Sequence, residues 1–239
     1  SGFAINIKNT AKGPAEANNN IFQNNTIINC NHFHLYIDDL YGTLFNRFIN
    51  QKILSYNITS SNLILINDYG KLEFNESING NGTILISGYK GDIIIKENLI
   101  SVDSTKEYLN ISAELSFFNP LLNEGPVRAT RNDELCGAYC SNITQNGDNY
   151  SYNVSGFSSY GVSSDAFCDD TITWNLNQTR NLACDGTAWH IGADNIVIDC
   201  QGHNITYGNS SFGYGRNNSV YENVTIKNCN FIEGLEIGY

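Results

Sequence analysis

The chain of 239 residues carries 13 Lys+Arg against 24 Asp+Glu, a formal net charge of -11, and only 15% of its residues are charged. Its few cations, among them Arg47, Lys52, Arg128, Arg131 and Arg180, are scattered, which excludes the clustered basic surface that a nucleic acid or an anionic membrane requires. A hydrophobic share of 41% supports a substantial core and argues against disorder, and no apolar run approaches the roughly 20 residues that span a bilayer.

In chain order, the first third offers FAINIKN, NIFQNNTIINC, HFHLYIDDL and RFINQKIL, short β-branched and aromatic runs broken by Asn, Gly and Asp. Its first residues lack the basic-then-apolar profile of a signal peptide. With no Met anywhere, the sequence reads as processed or as cut from something longer. INDYGKLEF (66–74) and DIIIKENLISVDS (92–104) follow, then a turn-rich β stretch from Ala113 to Val162 that contains CGAYC. The last third returns to the first pattern in TITWNL, WHIGADNIVIDCQGHNITY, NSVYENVTIKNC and FIEGLEIGY. No segment sustains helical periodicity, and the strand spacing suits a solenoid with coils of roughly 20 to 30 residues. One match is internal: NVTIKNCN (223–230) and NNTIINCN (24–31) share six of eight residues and read as equivalent rungs, Ile226 and Ile27 pointing inward and the corner asparagines bonding along the stack.

Asparagine dominates the composition. With 37 Asn and 34 Ser+Thr, chance gives roughly 5 N-x-S/T sequons, whereas the sequence has 13, at Asn24, Asn57, Asn75, Asn81, Asn110, Asn142, Asn149, Asn153, Asn177, Asn204, Asn209, Asn217 and Asn223. The excess predicts an exported chain coated with N-linked glycans. Seven cysteines without a C-x-x-C pair fit disulfides better than zinc. Cys136 and Cys140 sit four apart in a turn-rich stretch, and Cys168 and Cys184 bracket a short strand, so these are the expected pairs. Cys30, Cys200 and Cys229 form an odd set inside apolar strands, where a free cysteine often serves as a small buried hydrophobe, and the sequence leaves their pairing open.

The segment CDDTITWNLNQTRNLACDGTAWHIGADNIVIDCQGHNITYG, from Cys168 to Gly208, resembles the opening coils of right-handed parallel β-helix repeat proteins, which are related to pectin-lyase-like folds and common among archaeal surface proteins. The matching rung runs from Ile191 to Ile205, and the NxTIxNC rungs resemble the same family. The resemblance implies an all-β chain: a right-handed parallel β-helix with a small disulfide-containing antiparallel β domain. On that reading residues 1–112 are later coils and a strand-rich region, 113–166 the antiparallel domain, and 167–239 the opening coils.

Opening coils that follow later coils make the chain look permuted. Joined head to tail, IEGLEIGY runs into SGFAINIKNT without a cap, and uncapped solenoid ends are templates for the next coil. The expectation is therefore an extracellular or cell-surface structural protein. It is a building block of a filament, stalk or sheath in which copies of the unit join head to tail through Ser1 to Asn9 and Asn223 to Tyr239. The alternatives are a surface adhesin or carbohydrate-binding module and, third, a β-helix lyase or hydrolase.

Catalytic signals are sparse. Asp38-Asp39 and Asp169-Asp170 are adjacent, so their side chains diverge rather than pair as acid and base. Asp194 and Asp199 bracket a strand at what the resemblance makes a structural corner. His32 and His34 alternate on one strand without an assignable third ligand, and His190 and His203 fall in the family's structural rung. The Gly-rich SFGYGRNN (211–218) lacks the lysine and helix start of a phosphate cradle and reads as a loop. No catalytic residue, metal or cofactor follows from these patterns.

Overall fold

The computed structural model describes residues 5–9, 21–23, 35–39, 45–49, 56–83, 91–120, 122, 124–218 and 220–234. They form an all-β architecture with β-solenoid turns, about 7 in all, together with antiparallel sheets and three disulfides. The chain divides into two compact units, one of Ser1–Leu121 with Ala129–Val162, the other of Leu122–Arg128 with Ser163–Tyr239.

In the first unit two parallel stacks lie side by side. Ile5–Asn9 pairs with Leu35–Asp39, which pairs with the first half of Tyr56–Ile66. Ile21–Gln23 pairs with Phe45–Ile49, which pairs with the second half of the same strand. That 11-residue strand thus serves both stacks, and it is also where parallel stacking stops. Gly70–Phe74 pairs antiparallel with Ile64–Ile66, and Ile78–Gly82 pairs antiparallel with Tyr56–Ser61.

The reversal has a local cause. The side-chain oxygen of the buried Asn67 accepts the N–H groups of Tyr69 at 2.9 Å and Gly70 at 3.1 Å, an Asx turn that folds the chain back on itself. Its amide nitrogen donates to the Ile95 carbonyl at 2.8 Å, tying the turn to a second sheet. Gly70 is required because a Cβ there would collide with the Ser116 carbonyl.

Ala113–Phe117 then pairs antiparallel with Gly70–Phe74 on one side and Asn149–Val154 on the other, so these antiparallel strands share one sheet with the earlier ones. Its core is Leu65, Leu72, Leu115, Phe117 and Tyr152, with Phe117 and Tyr152 stacked at 5.6 Å. Beside it Asp92, itself buried, accepts the Thr83 N–H at 2.8 Å and the Tyr56 hydroxyl at 3.1 Å, and lies 3.4 Å from Lys106. Burial drives the Tyr56 phenol well above its ordinary range, reinforced by the Tyr108 hydroxyl 3.3 Å away and by the Asp92 carboxylate.

The second unit is a three-sided solenoid. Asp170–Ile172, Trp189–Ile191 and Arg216–Asn217 stack in parallel on one face. Leu176–Asn177, Val197–Asp199 and Thr225–Lys227 form the next. Leu182–Ala183, Asn204–Tyr207 and Asn230–Glu233 form the third. Alternation places Ile172, Leu176, Leu182, Trp189, Ile191, Ile198 and Ile205 in one buried column. Asparagine makes the corners because it tolerates left-handed backbone: Asn195 and Asn223 have φ of 59° and 56°, and the Asn223 amide donates to the Asn195 oxygen at 3.0 Å. Asn228 likewise donates to Asp199, and Asn230 to Asn204.

The beginning of this column is sealed. Ala166 and Phe167 are buried against the first coil, and Gln178, fully buried, uses its amide as a strand would: Oε1 accepts the Ala166 N–H at 3.1 Å and Nε2 donates to the Ala166 carbonyl at 3.4 Å. Arg128 bonds Asp170 at 2.6 Å, and the guanidinium of Arg180 lies 4.3 Å from the Phe167 ring centre.

Cys136 is bonded to Cys140 in the first unit, and Cys168 to Cys184 in the second. The third disulfide supplies a pairing that the sequence leaves open, that of Cys200 and Cys229. They are bonded to each other across successive coils, 29 residues apart, with Cα atoms 4.8 Å from one another. The coil period brings equivalent corners into vertical register, a juxtaposition with no local signature in the sequence. Cys30, in the equivalent NNTIINCN rung, lies outside the described residues.

Candidate assembly edge and aromatic groove

Each of the three faces of the second unit ends, among the described residues, in a strand with a neighbour on one side only: Arg216–Asn217, Thr225–Lys227 and Asn230–Glu233. The backbone bonds fix which groups are left over. Thr225 donates its N–H to the Ile196 carbonyl at 2.9 Å, and Lys227 accepts from Cys200 at 3.1 Å, so the N–H and C=O of Ile226 between them face away from the stack. Asn230 donates to His203 and Gly234 to Tyr207, which turns the backbone groups of Phe231 and Glu233 outward in the same way.

The apolar column opens with the backbone. Leu176 and Ile198 are buried while Ile226, above them in register, is only partly covered. Leu182 and Ile205 are buried while Phe231 in the same register is 38% exposed. Unpaired ladder groups beside uncovered apolar side chains are what a further coil would satisfy. In the first unit, Ile5–Asn9 and Ile21–Gln23 each pair with a single strand among the described residues, so they too present a parallel edge.

A groove of about 400 Å³ adjoins the open coil, lined by Tyr207, Phe212, Tyr214, Arg216, Phe231 and Glu233 among others. The sequence reading passed over it because SFGYGRNN has no periodicity and Gly-rich segments default to loops. Yet the loop is held firmly. Ser211 donates both its N–H and its hydroxyl to the Asp185 carbonyl, Ala188 donates to the Tyr214 carbonyl at 2.8 Å, and Tyr214 donates to the Thr187 hydroxyl at 3.3 Å. Gly213 lies so near the Gly186 and Thr187 backbone that no side chain fits between them. From this base Phe212 and Tyr214 project outward, 63% and 50% exposed, with ring centres 5.1 Å apart and edge to face.

The glycosylation candidates are distributed over the surface. Asn75, Asn81, Asn110, Asn142, Asn149, Asn177, Asn204, Asn209, Asn217 and Asn223 are exposed, Asn57 and Asn153 half-buried, and Asn24 lies outside the described residues. Asn142 lies within the exposed edge strand Cys140–Asn146, and Asn149 opens the strand paired with it. Of the junction segments, residues 1–4 and 235–239 lie outside the described residues, as do His32 and His34.

The adjacent carboxylates diverge to separate partners: Asp170 bonds Arg128, and Asp169 approaches His190 at 2.8 Å. Asp194 accepts the Glu222 N–H at 2.7 Å from the coil above, and His203 lies 3.3 Å from Asn181. Asp199 accepts the Gln201 N–H at 2.9 Å, and that bond, with help from Asn228 and Lys227, holds its carboxyl below the usual carboxylate range. Each of these groups is occupied in holding a corner. Among the described residues no three His, Cys, Asp or Glu side chains converge as a metal site, and no helix is long and apolar enough to cross a membrane. Three disulfides accord with an oxidising, extracytoplasmic setting.

No protein-family model matches this sequence, and neither a curated protein nor a solved structure is significantly similar to it.

Proposed function

We propose that the chain is an extracellular structural building block, assembled head to tail by continuation of its β-solenoid into a glycosylated surface filament, stalk or sheath. The observation that supports it most directly is the polarity of the second unit: its first coil is sealed by Ala166, Phe167 and Gln178, while the last of the described coils presents the outward N–H and C=O of Ile226 beside a half-covered apolar column. The parallel edge at Ile5–Asn9 and Ile21–Gln23 supplies a partner of matching strand direction. Docking one on the other extends the parallel ladders without changing either fold, as solenoid coils do within a chain. A sugar coat on the outward sequons shields the lateral strands from unwanted pairing and from proteases. We also assign the coils to the pectin-lyase-like β-helix repeats of archaeal surface proteins, on the strength of the Cys168–Gly208 segment with its Ile191–Ile205 rung and of the NxTIxNC rungs; a crystal structure with left-handed coils would remove that assignment.

Electron microscopy of the native material, paired with its mass under reducing and denaturing conditions, tests the main reading. Regular filaments that dissolve to a chain near 26.5 kDa plus glycan establish a polymer of subunits. Filaments that yield a far larger chain establish a covalent repeat. Monodisperse monomers at high concentration, with no filaments in the native preparation, end the proposal.

A further inference from the structure

We propose that the groove beside the open coil binds an uncharged oligosaccharide, with pyranose rings stacked on Phe212 and Tyr214 and hydroxyls held by Arg216 and Glu233. This goes beyond the structural role, and it shares Arg216, Phe231 and Glu233 with the open edge described above.

Three observations carry the proposal. The first is the pair of exposed rings. A protein surface does not ordinarily display two large aromatics in contact at 63% and 50% exposure, and these two sit on a loop tied by four hydrogen bonds, three of them through its backbone, to residues 185–188. Rings carried on a tethered backbone and already in edge-to-face contact leave less to order when a ligand arrives, so their apolar faces are available for binding at reduced entropic cost.

The second is the polar pair. Arg216 and Glu233 line the same groove, and among the described residues neither forms an ion pair or a side-chain hydrogen bond. One offers a fork of donors and the other two acceptor oxygens, with Tyr207 and Tyr214 adding hydroxyls that do both. A sugar, whose ring has apolar C–H faces and a rim of hydroxyls that donate and accept, matches this division. The third is charge. In a chain of net charge -11 the groove holds one cation and one anion, which complements an uncharged polyol and gives a uronate or a basic peptide no net attraction. A volume of about 400 Å³ falls in the range of small-ligand clefts and admits a short stretch of such a chain.

The same chemistry has two sources: a free polysaccharide, or an N-linked glycan on a neighbouring copy. Calorimetric titration of the intact, disulfide-bonded protein with maltohexaose, cellohexaose and a mannohexaose, and with hexagalacturonate as the anionic comparison, tests the proposal. At least one neutral hexamer binds, hexagalacturonate binds more weakly, and Phe212→Ala and Tyr214→Ala each weaken the neutral ligand about tenfold, as does Arg216→Met. Both rings are exposed, so the alanine variants keep the parent's thermal midpoint, which is measured alongside. Enzymatic removal of the N-glycans separates the sources: tighter binding of the added sugar by the stripped protein identifies the neighbour's glycan as the native occupant, and unchanged binding identifies an external polysaccharide. Failure of every neutral hexamer to bind at millimolar concentration overturns the inference. So does unaltered sugar binding by the ring variants, or variants that lose filaments while binding sugar as before, which would make the groove a subunit contact.

Discussion

The parallel stacks that end at Tyr56–Ile66 meet antiparallel strands along both halves, whereas the stacks that end at Arg216–Glu233 meet no further strand among the described residues. The chemistry that separates them is small. After Ile66 a buried asparagine closes an Asx turn and a glycine passes under the Ser116 carbonyl, so the chain reverses and the ladder is consumed. At corners of the second unit such as Asn195 and Asn223 the chain takes left-handed backbone, which bends it onward into another parallel rung. Parallel repetition has no intrinsic end. It has to be stopped, and in this molecule one turn and one buried glutamine do the stopping.

The comparison can be broken most sharply at the open edge. Ile226→Pro removes the one N–H of its strand that points away from the stack while leaving the Thr225 and Lys227 bonds to the coil below, so filament formation is abolished in electron micrographs and the circular-dichroism spectrum of the unit is kept. Filaments at parental abundance would show that this edge is not the joint. Next in size is the Cys200→Ser, Cys229→Ser pair. Opening a 29-residue loop costs about 3–4 kcal/mol on chain-entropy grounds, read as a lower denaturation midpoint for the second unit with the first unchanged. At the sealed ends, Asn67→Ala and Gln178→Ala each leave buried backbone groups without partners and cost about 1–3 kcal/mol, in the first and second unit respectively. An equal loss in both units from either single change would contradict the assignment of separate stops.

The smallest effect is on pH. The depressed carboxyl of Asp199 contributes stability that is present above the unfolded-state value near 3.8 and lost as pH falls from there through the lower folded value. Acid titration of the second unit therefore shows a midpoint that drops below pH 3.8, and Asp199→Asn flattens that part of the curve. Tyr56 works in the opposite direction in the first unit. Its raised phenol contributes stability present below about 10 and lost as pH climbs from 10 toward the folded value, so alkaline unfolding reaches the first unit and is blunted by Tyr56→Phe.

What could be read from the sequence was whatever repeats locally. Ile196, Ile198 and Ile205 are buried where the IGADN rung alternates, and the corner asparagines bond along the stack because Asn recurs at each coil's bend. What could not be read depends on residues brought together by the coil period or by a single collision. Cys200 and Cys229 meet only because two coils of different length come into register. The end of parallel stacking hangs on Asn67 and Gly70 in an unremarkable NDYG. The aromatic groove needs Gly213 packed on Gly186, a contact across 27 residues of chain that no motif announces.

The Cys200–Cys229 link has a mechanical consequence. It closes a 29-residue loop between neighbouring rungs, so a pull along the solenoid axis that strips the ladder bonds between them cannot pay out the chain they enclose, about 100 Å if drawn straight. Under tension that section holds its length, and extension is left to rungs without such a tie.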